Sequence, residues 1–233
     1  MGGIIAKDRS LIPACDVRTL EGLAKIVKET FDVPGIGGYK LGFSLGLSFG
    51  LPAACATIRE YSDLPIIYDH QKAATDIPKT GTLFAETCKA AGIDAIILFP
   101  QAGPDTEKAW IQAGFDAELG VIVGGEMTHP GYTASSGGWL SDDSIEKIYN
   151  IAKGEGVRDF VVPGNKPERI AHYAKLLSDC EPVFYSPGLV AQGGEITQSA
   201  KAAGKRWHAI VGRGIYEAPD IHKAALDLSK QLL

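Results

Sequence analysis

The chain has 233 residues, 45% of them hydrophobic and 22% charged, which suits a soluble globular protein with one sizeable core. Its net charge of −5 leaves no surplus of lysine and arginine to replace counterions on nucleic acid or an anionic membrane, whereas a small anionic ligand needs only a few well-placed cations. No stretch approaches the ~20 apolar residues of a membrane span. The N-terminal apolar patch is broken by Lys7, Asp8 and Arg9 before it reaches the length of a signal-peptide core, and Ala6 stands where a myristoylation motif wants Ser or Thr, so a cytoplasmic location is expected. Cys15, Cys55, Cys88 and Cys180 show neither zinc nor redox spacing and read as buried free thiols.

Along the chain, short apolar runs alternate with amphipathic segments. The runs Leu11–Cys15, Tyr39–Leu41, Pro65–Tyr68, Ala95–Phe99, Leu119–Val123, Phe160–Val162, Val183–Tyr185 and His208–Val211 are predicted strands. Between them, Leu20, Leu23, Ala24, Val27 and Phe31 fall on one helical face, as do Ile145, Ile148, Tyr149 and Ala152. Ser141-Asp142-Asp143 precedes the fifth crossover helix and Pro167-Glu168 opens the sixth. Eight strands at about 29 residues per unit fit a (β/α)8 TIM barrel, one domain over residues 1–233, better than a doubly wound sheet of five or six strands. The longest irregular stretch, Gly124 to Leu140, has the length and glycine content of a ligand loop.

Barrel enzymes place their chemistry at the C-terminal ends of the strands. The residues found there are Asp16 after the first run, Lys40 in the second, Asp69 after the third, and then Thr128, Gln192 and Arg213. The densest cluster follows the third strand, where Asp69, Lys72 and Asp76 come within one loop beside Lys40. Alternating charges can share a cavity because each is paired on both sides. A salt-bridged loop that stiffens the rim is the bland alternative. Four alternating charges at the end where a barrel active site belongs are more than such a loop requires.

The segment Asp69–Pro78 resembles the Asp-x-Lys-x-x-Asp-Ile-Pro motif of the orotidine 5′-phosphate decarboxylases, with Thr80 a further match. The likeness runs over nearly the whole chain. Leu11–Asp16 is similar to the family's first strand and Lys40-Leu41-Gly42 to its second. Gly125–Gly131, containing Thr128 where many members have Ser, is similar to the pyrimidine-contacting loop. Ser186–Gly194 resembles the phosphate-closing loop, and Ile210–Tyr216 the phosphate end of strand eight. One departure stands out: two residues, His70 and Gln71, separate Asp69 from Lys72, and three separate Lys72 from Asp76, where the usual motif has one and two.

The resemblance implies decarboxylation of orotidine 5′-phosphate to UMP and CO2 with no metal and no organic cofactor, in a homodimer with shared active sites. It assigns catalysis to Lys40, Asp69, Lys72 and Asp76. It assigns ribose contact to Asp16, base contact to Thr128, and contact with the neighbouring subunit's site to Asp76, Ile77 and Thr80. Phosphate contact falls to Gln192, Gly193, Gly212 and Arg213. The last group has a physical rationale of its own, since glycine-rich turns supply backbone N–H groups and a guanidinium grips two phosphate oxygens. His70 and His129 match no catalytic position and read as hydrogen-bonded structural residues, and Tyr132 is placed to help cover a ligand. Two other readings compete: a Mg-dependent sugar-phosphate lyase resembling 3-keto-L-gulonate 6-phosphate decarboxylase, and a catalytically silent UMP-binding barrel.

Overall fold

The structure, a computed structural model, describes residues 3–70 and 75–232. Strands β1 (Arg9–Pro13), β2 (Tyr39–Gly42), β3 (Ile66–Asp69), β4 (Ala95–Leu98), β5 (Gly120–Gly124), β6 (Asp159–Val161), β7 (Val183–Ser186) and β8 (Trp207–Val211) run parallel, each bonded to its sequence neighbour, with β8 closing onto β1. Between β1 and β2 the ring is completed by parallel bridges at Leu11–Ile36 and Ala14–Lys40, with the Cys15 N–H donating to the Lys40 carbonyl at 2.9 Å. This is the expected (β/α)8 barrel. Each strand lies within two residues of its predicted position. The largest shift is in β1, where Ala14 and Cys15 leave the ladder with β8 to bond toward β2.

The helices are α1 (Leu20–Thr30), α2 (Phe43–Phe49), α3 (Leu51–Arg59), α4 (Thr80–Ala90), α5 (Pro104–Asp116), α6 (Ser144–Gly154), α7 (Pro167–Leu176), α8 (Ile196–Ala203), α9 (Arg213–Tyr216) and α10 (Ile221–Ser229). The Thr19 side chain caps α1 by accepting from the Gly22 N–H at 3.1 Å. Helix α6 buries Ile145, Ile148, Tyr149 and Ala152, the face its periodicity predicts. Helix α1 is turned slightly from its predicted face: Leu23, Ile26, Val27 and Thr30 are buried while Phe31 is 48% exposed, because Thr30 bonds inward to the Tyr39 hydroxyl.

Alternate residues of a strand face opposite sides, and here the two sides are two cores. Leu11, Leu41, Ile96, Val121, Phe160 and Ala209 pack outward under the helices. Ile12, Ile67, Ile97, Ile122, Val161 and Ile210 fill the barrel interior, with Ile5 of the N-terminal segment packed against them. That parity determines the mouth. Two residues beyond Ile67 comes Asp69, beyond Ile12 and Ala14 comes Asp16, and beyond Ile210 comes Gly212. Polar groups thus continue the inward rows at the C-terminal ends of the strands.

Candidate active site

At the C-terminal mouth, Asp16, Lys40, Asp69, Gln192, Gly212 and Arg213 line a single cavity of about 170 Å³. Lys40 is its electrostatic centre. The Nζ atom lies 3.3 Å from Asp16 Oδ1 and 3.5 Å from Asp69 Oδ2. Burial disfavours the ammonium, but the charges of Asp69 and Asp16 outweigh it and hold the Lys40 pKa above its ordinary value. Cys15 sits behind this group as an inert thiol, pushed up to about 12 by burial and, secondarily, by Asp16. As expected, all four cysteines are free and buried.

Lys72 lies outside the described residues, so only the flanks of its segment are seen. On one side the Tyr68 hydroxyl is hydrogen-bonded to His70 Nδ1. On the other, Thr75 Oγ1 donates to the Phe99 carbonyl at 2.9 Å, tying the returning chain to the end of β4. Asp76 and Ile77 are exposed and turned onto a neighbouring depression with Gly103 and Pro104, away from the cavity that holds Asp69. Their backbone is firmly held. Thr106 Oγ1 donates to the Asp76 carbonyl at 2.8 Å, and the Ile77 carbonyl accepts from Trp110 Nε1 at 3.1 Å and Thr80 Oγ1 at 2.8 Å. The structure therefore separates Asp76, Ile77 and Thr80 from the chain's own Asp16–Lys40–Asp69 group.

The loop after β7 crosses the mouth. Gly188 lies on the cavity wall at φ +86°, and a Cβ placed there would come 2.6 Å from the Thr128 methyl, so glycine is required by both conformation and contact. That packing seats Thr128 beside the cavity. Gly193 faces outward, in a separate depression with Glu195 and Thr197. Tyr132, in the loop after β5, accepts from Gln101 Nε2 at 2.9 Å and stacks edge-on with His129.

Two features were not singled out in the sequence. Tyr216 joins the cavity wall near Asp16 and Arg213. Glu126, 8% exposed, receives Lys166 Nζ at 2.9 Å, Arg169 Nε at 2.8 Å and the Tyr173 hydroxyl. Burial works against its charge, yet the hydrogen bonds from Tyr173, Arg169 and Lys166 hold its pKa below the ordinary carboxylate value. An acid at the end of one strand, with two cations just after the next strand, was the signal available for that network.

A closed parallel barrel whose polar groups converge on one pocket at the C-terminal ends of its strands has the design of a barrel enzyme. The family described as Orotidine 5′-phosphate decarboxylase / HUMPS matches residues 9–228, and the chain belongs to that family. A Methanosarcina mazei protein named orotidine 5′-phosphate decarboxylase is 32% identical over 227 residues, covering 97% of this chain and 96% of the relative. A Pyrococcus abyssi protein of the same name is 32% identical over 222 residues, covering 95% and 98%. Among solved structures, the Methanocaldococcus jannaschii orotidine 5′-monophosphate decarboxylase, complexed with the inhibitor BMP, aligns with a TM-score of 0.84 at 27% identity, over 96% of this chain and 98% of that one.

Proposed function

We propose that this chain decarboxylates orotidine 5′-phosphate to UMP and CO2, within one barrel domain and without metal or organic cofactor, as a step of pyrimidine nucleotide synthesis. The observation that carries the reading is the Asp16–Lys40–Asp69 ion group sharing a cavity with Gln192 and Arg213. It sets paired carboxylates and a guanidinium in one pocket, which suits a substrate that carries both a carboxylate and a phosphate.

In this reaction the bond from C6 to the carboxylate breaks, CO2 leaves, and the electron pair stays on C6. Asp69 faces the substrate carboxylate, where like charges raise the ground state relative to the transition state. Lys72 stabilises the developing carbanion and then gives C6 its proton. Lys40 keeps Asp69 ionised and, with Asp16, contacts the ribose. Thr128 bonds the pyrimidine edge. Gln192, Gly212 and Arg213, which line the cavity, hold the phosphate, whose remote binding energy serves the chemical step.

Asp76, Ile77 and Thr80 complete the site of a second copy in a homodimer. Their outward placement favours this, and the helices after β2 and β3 also carry apolar side chains open to solvent, Leu47 at 74% and Leu83 at 68% exposure. No described helix is long and apolar enough to cross a membrane, and we place the protein in the cytoplasm, with no nucleic-acid or membrane partner.

Lys72→Ala tests the assignment of the proton donor. Turnover of orotidine 5′-phosphate is expected to vanish while circular dichroism and melting temperature stay as in the parent. Near-normal turnover removes Lys72 from the mechanism.

A further inference from the structure

The loop after β6, residues 163–166, stands between the two loops assigned to the base and the phosphate, and it touches both. Toward the loop after β5, Asn165 Nδ2 donates to the Thr128 carbonyl at 3.0 Å and Lys166 Nζ donates to the Met127 carbonyl at 2.9 Å. Toward the loop after β7, the Gly164 N–H donates to the Pro187 carbonyl at 2.8 Å. Lys166 is not free to swing, because the same ammonium is fixed by the buried Glu126.

Asn165 is the unusual member of this group. Its Nδ2 is engaged, but its Oδ1 is shut off from solvent with no hydrogen-bond donor opposite it among the described residues. A buried acceptor without a partner is costly, and such atoms in a native loop call for an explanation. The loop after β7 lies against this group: a Cβ placed on Gly188 would meet the Thr128 methyl at 2.6 Å and, on the same side, Gln192 Oε1 at 3.3 Å, the oxygen end of an amide that also carries an N–H donor.

We propose that Asn165 is a positioning residue for base recognition. Its amide N–H fixes Thr128 against the cavity, and its amide oxygen gains a donor from the loop after β7 when a nucleotide fills the site. The idea rests on the nucleotide reading above and adds to it the link between the base-contacting loop and the phosphate loop. Asn165 acts through Thr128, so its influence should fall on ligands that carry a base and spare those that carry only ribose and phosphate.

Calorimetric titration with UMP and with ribose 5-phosphate separates these cases, using the parent protein, Asn165→Ala and Asn165→Asp. Loss of one hydrogen bond to Thr128 is expected to weaken UMP roughly tenfold in Asn165→Ala and to leave ribose 5-phosphate within about twofold. Asn165→Asp, which keeps the shape but sets a carboxylate against the Thr128 carbonyl, should lose UMP affinity further with ribose 5-phosphate again spared; it also serves if the alanine variant folds poorly. Equal weakening of both ligands, or of neither, overturns the proposal. A parent protein that releases no CO2 from orotidine 5′-phosphate sinks the decarboxylase reading instead, and the ratio of the two affinities still decides the role of Asn165.

Discussion

The ammonium of Lys40 lies 3.5 Å from Asp69 Oδ2, with 6% of the lysine side chain and 10% of the aspartate side chain exposed. Neighbouring strands in parallel register bring them together, since Lys40 pairs with Ile67 and Gly42 pairs with Asp69. The same ammonium reaches across the barrel closure to Asp16 at 3.3 Å. One cation therefore neutralises two carboxylates, of which the buried Asp69 has little water to screen its charge.

Lys40→Met should expose that dependence. Removing one partner of a buried ion pair costs about 3–5 kcal/mol, because the remaining charges are left uncompensated. Urea unfolding is expected to show a loss of that order, and turnover of orotidine 5′-phosphate to fall at least about a hundredfold. A variant as stable and as active as the parent would mean that Asp69 does not rely on Lys40.

Arg213→Ala bears on the second cation of the cavity. Hydrogen bonds to a charged group are worth about 1.5–3 kcal/mol, so UMP affinity should drop roughly ten- to hundredfold while uridine affinity changes little. Equal losses for nucleotide and nucleoside would detach Arg213 from the phosphate.

The closed end of the barrel offers a test against pH. Asp159 is 9% exposed and its carboxylate accepts from the Tyr185 hydroxyl at 2.8 Å, while burial pushes its pKa up to about 6. A carboxyl raised in the folded state adds stability below its unfolded pKa of about 3.9, and that contribution is lost as pH rises through about 6. Asp159→Asn keeps an acceptor for Tyr185 and abolishes the ionisation. The variant should melt higher than the parent at pH 8, by about 2–3 kcal/mol at most, with the gain vanishing near pH 4. A difference that is flat with pH would mean that Asp159 does not titrate in this way.

Strand parity made much of this architecture readable. Runs such as Ala95–Phe99 and Leu119–Val123 can only be buried, and an eightfold alternation with helical segments leaves few folds open. The inward row Ile12, Ala14, Asp16 follows from a period of two once β1 is placed. What sequence could not give was the bonding between loops. Asn165 looks like an ordinary turn residue, and its bond to Thr128 spans 37 positions and depends on how two loops settle over the barrel rim. Glu126 was visible only as one letter of a loop, because its partners Lys166, Arg169 and Tyr173 come from the next strand's loop and helix. The bonds that hold Asp76 and Ile77 in place were likewise hidden, coming from Thr106 and Trp110 of α5.

The most direct measurement is CO2 release from orotidine 5′-phosphate by the purified protein in the presence of EDTA. Stoichiometric CO2 and UMP, at a rate indifferent to the chelator, is the expected result. UMP binding with no CO2 evolved, or activity that disappears with EDTA and favours a keto-sugar phosphate, would contradict a cofactor-free nucleotide decarboxylase built around Lys40 and Asp69.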